Sequence, residues 1–170
     1  PSGNLFRELL SNYFFSFETV MVRKSVMDIN DIYFDPKYQV SSDAEFFIKL
    51  SYYTNCLYID DVLATWRYGH GSESDRSAFL FPYEYELLLT DLSHMIEGFE
   101  RDYLDEIQSL KNKINNMYGI AHWSTLNRRE ASRYFKKAFK HNKKYLIPYF
   151  FSFLFTHKTY NMLKNKAGLR

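Results

Sequence analysis

Apolar residues along the chain switch between two periods. Leu5, Leu9 and Leu10 share one side of a helical turn, which predicts a short helix from about Leu5 to Asn12. In "FFSFETVMVRKS", Phe15, Phe17, Thr19 and Met21 alternate with Ser16, Glu18, Val20 and Val22, predicting a strand with one strongly apolar face. "RKSVMDI" then reads as a short helix opened by Ser25, and Asp35-Pro36 as a turn. In "FDPKYQVSSDAEFFIKL", residues 34 to 50, a helix begins. Phe46, Phe47, Leu50 and Tyr53 recur at helical spacing, and Ser42 and Glu45 stand in the S-x-x-E relation of a capping box.

Cys56 to Ile59 and Val62 to Tyr68 read as further strands, broken at Asp60-Asp61 and followed by the glycine-bracketed loop Gly69-His70-Gly71. Beyond Pro82 the pattern becomes helical. One long element is predicted, interrupted at Gly98 and ended near Gly119, with Leu88, Leu92, Met95, Phe99, Leu104, Ile107, Leu110 and Ile114 on its buried stripe. "NRREASRYFKKAFKHN" predicts another helix with Ala131, Phe135, Ala138 and Phe139 inward, and the aromatic C-terminal segment a last one. No tandem repeat is present. The expected class is therefore α+β but mostly helical, with a few strands in residues 1–82 and a helical region in 83–170.

Composition sharpens this picture in three ways. A chain of 170 residues with 46% apolar and 19% aromatic content can bury a real core. The single cysteine, Cys56, excludes an internal disulfide and a Cys-based zinc cluster, fits a reducing compartment, and is expected to be a small buried hydrophobe. The opening "PSGNLFREL" has no basic-then-apolar leader pattern, and the apolar run Tyr145 to Phe155 is about half the roughly 20 residues of a membrane span. Neither a signal peptide nor a spanning helix is expected.

Charge is strongly segregated. Residues 1–127 carry 10 Lys+Arg against 19 Asp+Glu, whereas residues 128–170 carry 12 against 1. A basic segment of that density either pairs with the acidic remainder or seeks phosphate. Because aromatic and aliphatic residues lie between the lysines of "KHNKKYLIPYFFSFLFTHKTYNMLK", an anionic membrane surface is an expected partner for 128–170. A core helix packed under the rest of the chain would show the same composition.

Taken in order, "ETVMVRKSVM", "FDPKYQVSSDAEFFIKL" and "NCLYIDDVLATWRYGHGSES" resemble the second half of family-two glycosyltransferase domains of the GT-A fold. The helical C-terminus, with "REASRYFKKAFKHN" and "SFLFTHKTYNMLK", resembles the tails that bacterial members append. No single piece is specific; their joint register carries the likeness. The resemblance implies a partial GT-A sheet, a nucleotide-sugar donor, and a glycan or lipid-linked acceptor. It also implies transfer with inversion in surface polysaccharide or glycoconjugate synthesis, and a cytoplasmic location at the inner face of the membrane.

On this resemblance Asp43 matches the general base that deprotonates the acceptor hydroxyl, although Ser42 stands where the family places a second acid. Arg67 and His70 match positions near the donor diphosphate, His70 also as a ligand of the divalent manganese or magnesium ion. Each residue has a plainer reading. Asp43 suits the first turn of a helix because the helix dipole favours a carboxylate there. A histidine in a polar loop is commonly just solvated, and Arg23 of "MVRKS" is expected to pair with a neighbouring acid. No D-x-D motif precedes Leu5, so the sequence is expected to be a C-terminal portion that lacks the nucleotide-binding half and transfers no sugar alone.

Two other classes compete. A helical protein-interaction scaffold with a basic docking surface would account for the helices from Tyr83 onward but leaves "FDPKYQVSSDAEFFIKL" and "WRYGHGSES" unexplained. Nucleic-acid binding by "RYFKKAFKHNKKYLIPYFF" is disfavoured, since the acid-rich first 127 residues would repel a polyanion.

Overall fold

The computed structural model describes residues 2–65, 77–140 and 142–166, with side chains to residue 162. These residues are mostly helical. In chain order the helices are α1 (Phe6–Ser11), α2 (Lys24–Asn30), α3 (Ser42–Tyr53), α4 (Leu80–Met95), α5 (Phe99–Asp102), α6 (Leu104–Ser124), α7 (Arg128–Phe139), α8 (Leu146–Leu154) and α9 (His157–Lys166). Two 3-10 turns, Phe17–Thr19 and Lys143–Tyr145, complete the set among the described residues. The chain forms two compact units: Pro1–Arg76 with Glu84–Leu110, and Ser77–Tyr83 with Lys111–Arg170.

Among the described residues the expected sheet elements are not found, and the end of the expected strand Val62 to Tyr68 lies outside them. Among the described residues the β-pairing consists of one isolated antiparallel bridge, Gly3 to Cys56, with N···O distances of 2.8 and 2.7 Å. Half-buried Cys56 is therefore a backbone clasp, not a core residue, and burial raises its thiol pKa. The predicted strand at Phe15–Val22 is instead broken by the 3-10 turn. Thr19 donates to the Ser16 carbonyl through both its amide and its hydroxyl, each at 2.9 Å, while the Ser16 hydroxyl donates to Glu18 at 2.7 Å. Such local bonds offer the backbone an alternative to a ladder. The turn also switches the inward parity: Tyr13 and Phe15 pack inward before it, Val20 and Val22 after it. Phe17 and Met21, expected on the apolar face, are exposed.

The first unit is built on α3. Phe46, Phe47 and Leu50 pack with Ile32 against partly buried Tyr13, Phe15, Val20, Val22, Val26 and Met27. α1 and α2 lie on α3, and Leu5, Leu9 and Leu10 are all buried as their spacing predicts. Tyr53, expected inward, is exposed at the helix end. Along α4 to α6 the predicted stripe is buried at Leu88, Leu92, Phe99, Ile107, Leu110 and Ile114. Gly98 takes a left-handed conformation, φ 73°, and separates α4 from α5. That break moves the inward position from Met95 to Ile96 and leaves Leu104 exposed.

The second unit is organised by Trp123, Ala131 and Phe135, all fully buried, against partly buried Ile120, Tyr149, Phe151 and Tyr160. Trp123 Nε1 donates to the Phe155 carbonyl at 3.0 Å. α7 is capped by Asn127, whose side chain accepts the Glu130 amide, and its strongest packing is with α8. α6 does not stop at Gly119 as expected. A Cβ at that position would lie 2.6 Å from two ring atoms of Phe135, so the glycine serves a close helix–ring approach and not termination. Alanine there would gain up to about 1 kcal/mol of helix propensity. Overpacking a fully buried ring costs about 1–3 kcal/mol, so Gly119→Ala is expected to lower the thermal midpoint. Differential scanning calorimetry checks the sign.

Candidate active site

Asp43 sits in the first turn of α3, half-buried, where Tyr13 Oη donates to its Oδ2 at 3.1 Å. Burial and, next, the Asp43 charge push the Tyr13 phenol far above its ordinary pKa, and the same two causes raise that of buried Tyr85. Tyr13 therefore stays protonated and donates across the ordinary pH range. Among the described residues no side chain donates to Asp43 Oδ1, which leaves one carboxylate oxygen for another partner.

The mouth of α3 is not held by the expected capping box. The residue preceding the helix is Ser41, not Ser42, and no side chain of its own caps the first turn. Glu84 of α4 does this instead. Its Oε1 accepts the Gln39 amide at 2.7 Å, and its Oε2 accepts the Val40 amide at 3.1 Å, the Ser41 amide at 2.8 Å and the Ser41 hydroxyl at 2.6 Å. Glu84 is 1% exposed, so these four bonds are made away from water. They fix the backbone two residues before Asp43 and thereby the direction in which its carboxylate leaves the helix.

Glu45, freed from capping, turns to a second cluster. Its Oε1 meets Lys49 Nζ at 2.6 Å, and Lys49 also reaches Asp91 at 3.1 Å. Asp91 accepts Tyr38 Oη at 2.8 Å and pairs with Lys37 at 2.9 Å, which also pairs with Asp35 at 3.2 Å. Burial works against ionisation of Asp91, but the bonds from Lys37, Tyr38 and Lys49 outweigh it and leave its carboxyl below the usual range. Burial dominates at Glu45 and raises its pKa despite Lys49; its Oε2 is buried without a hydrogen-bond partner.

Oxygens of Asp35, Glu45 and Asp91 approach within 4.8 Å of one another, a spacing a divalent ion could use. Lys37 and Lys49 nevertheless bring two ammonium groups into that cluster at ion-pair distance. An ion would have to displace both, so the cluster fits an ion-pair hub; it does not include His70, the expected metal ligand.

Arg67 and His70 fall within residues 66–76, outside the described residues, so of the three predicted site residues Asp43 alone is placed. Sequence reasoning missed Glu84 and Asp91. The signal was present: they stand seven residues apart on α4 and in register with Leu88 and Leu92, which marks both acids as inward-facing. Comparisons with family models, characterised proteins and solved structures return no match for this chain.

Proposed function

We propose that the chain supplies the acceptor-activating part of a nucleotide-sugar-dependent glycosyltransferase. In this reading Asp43 takes the proton of an acceptor hydroxyl as its oxygen bonds to the sugar's anomeric carbon. The anomeric carbon–phosphate oxygen bond breaks with inversion, and the nucleoside diphosphate departs with the electron pair. The observation that carries the reading is the Asp43 carboxylate, fixed at a helix mouth by Glu84 from behind and by Tyr13 at one oxygen. A sugar hydroxyl is a weak nucleophile, and a base held within hydrogen-bond reach is what it lacks. The N-terminal position on α3 places the side chain at the end of the helix where the macrodipole accommodates a carboxylate.

Manganese or magnesium would neutralise the departing diphosphate; the residues expected near it, Arg67 and His70, lie outside the described ones. Met21 and Val62, each 97% exposed, and Leu57, 84% exposed, come from segments whose pattern predicts strands. Apolar residues in that state suit coverage by a nucleotide-binding half supplied from elsewhere in the intact protein. The test incubates the intact protein with labelled nucleoside-diphosphate hexoses, manganese and a hydroxyl-bearing glycan or lipid-linked acceptor. Manganese-dependent transfer of label is expected. A folded intact protein that moves label from none of these donors overturns the reading and leaves the helical scaffold.

A further inference from the structure

α8, with the sequence LIPYFFSFL, is apolar on every side except at buried Ser152, whose hydroxyl donates to the Tyr149 carbonyl at 2.6 Å. A helix of that character is ordinarily covered all round. Here Tyr149 and Phe151 face the Trp123–Phe135 core, while Ile147, Phe150, Phe153 and Leu154 are exposed. Ile147, Phe150 and Leu154 are spaced i, i+3, i+7, so they form one stripe along the helix.

Phe153 also lines a groove of about 530 Å³ on α7, together with Arg128, Arg129, Ser132, Arg133 and Lys136. Arg128 Nη1 donates to the Phe153 carbonyl at 3.2 Å and ties the groove to α8. Among the described residues, Arg128, Arg129 and Lys136 form no ion pair, and Arg133 has a loose one with Glu130 at 3.6 Å. Exposed Lys143 and Lys144 lie in the 3-10 turn that leads into α8. Residues 128–170 carry one acid, Glu130, against 12 cations, so the segment itself supplies almost no counter-charge.

We propose that α7 and α8 together form a docking face for an anionic membrane surface, the arginine-lined groove receiving lipid phosphates and the α8 stripe entering the headgroup layer. Cations alone would suit any polyanion. An aliphatic and aromatic stripe continuous with them at Phe153 is suited to a bilayer, which offers phosphate and hydrocarbon side by side. α8 has nine residues, and no helix among the described residues is long and apolar enough to cross a membrane, so the element lies on the surface. None of these groups takes part in the proposed sugar transfer, so lipid binding and catalysis fail or survive separately.

The full chain is sedimented with phosphatidylcholine vesicles with and without phosphatidylglycerol. Binding is expected with phosphatidylglycerol at low salt, with little binding to phosphatidylcholine alone. Each cation near such a surface contributes about fivefold, so Arg129→Gln combined with Arg133→Gln weakens binding on the order of twentyfold. Phe150→Ser combined with Leu154→Ser weakens it roughly tenfold by removing apolar area from the headgroup layer. All four side chains are exposed or at the groove rim, and circular dichroism confirms that the variants fold. Indifference to lipid charge or no lipid binding overturns the proposal. So does an apolar double variant that binds like wild type, as do duplex-oligonucleotide binding in place of vesicles and a concentration-dependent dimer that Phe150→Ser abolishes.

Discussion

Glu84→Ala is expected to destabilise the protein by about 3–5 kcal/mol, because it leaves several buried hydrogen-bond donors without their acceptor. The substitution strips the acceptor from three backbone amides and one hydroxyl at Gln39, Val40 and Ser41, in a place where Glu84 itself is 1% exposed. Each buried donor left unsatisfied costs about 1–3 kcal/mol, and partial hydration of the vacated space keeps the total below the sum. Glu84→Gln separates charge from shape. The Gln39 and Ser41 amides approach opposite carboxylate oxygens, so either amide orientation of glutamine sets its NH2 against a donor. The isosteric change is therefore expected to cost about 2–3 kcal/mol rather than to rescue. In a chain of this length 1 kcal/mol moves the midpoint by about 2–4 °C, so Glu84→Ala lowers it by roughly 6–20 °C. Thermal unfolding of both variants within a degree or two of wild type would show that the 39–41 segment is held by something else.

That carboxylate also marks where the sequence stopped being readable. Helices with a strong apolar stripe are legible: α1, α3, α4, α6 and α7 bury most of the residues their spacing selects, with Tyr53, Met95, Leu104 and Phe139 the exceptions near helix ends, because burying one face is a local consequence of period. Strands were not. Phe15–Val22 has a strand's alternation, but a strand is completed only by a neighbour, and among the described residues there is none. With no ladder to join, Ser16 and Thr19 satisfied their own backbone and inserted the turn that reversed the parity. The capping box failed for a related reason. S-x-x-E encodes a local exchange, and it is displaced by the remote bond of Ser41 to Glu84 and by the i,i+4 pair of Glu45 with Lys49, which remote Asp91 also binds. Gly119 looks like punctuation in the sequence because a glycine's role depends on what lies opposite, and Phe135 is on another helix. In each case the deciding partner is remote in sequence.

Under the acceptor-activation proposal, Asp43→Asn in the intact protein lowers the rate constant for sugar transfer by about 10²–10⁴-fold, the usual contribution of a positioned base. Stability should hardly move. Asparagine preserves the size of the side chain and an oxygen for the Tyr13 hydroxyl, so what is lost structurally is a carboxylate in the first turn of α3. That interaction is worth roughly 0.3–1 kcal/mol at a half-exposed helix terminus. The two readings of Asp43 thus differ in which quantity responds. A base gives a large loss of transfer with a midpoint shift of only a few degrees, and donor binding, measured by calorimetry with manganese present, is retained because the acceptor-side carboxylate does not hold the nucleotide. A helix-mouth carboxylate alone gives the same small midpoint shift with transfer intact. Glu84→Gln supplies the internal comparison: it loosens the backbone at Gln39–Ser41 without touching the Asp43 side chain, so transfer should fall less than in Asp43→Asn while stability falls more. If the order is reversed, with the larger rate loss at Glu84, the role of Asp43 is to shape α3 and not to accept a proton.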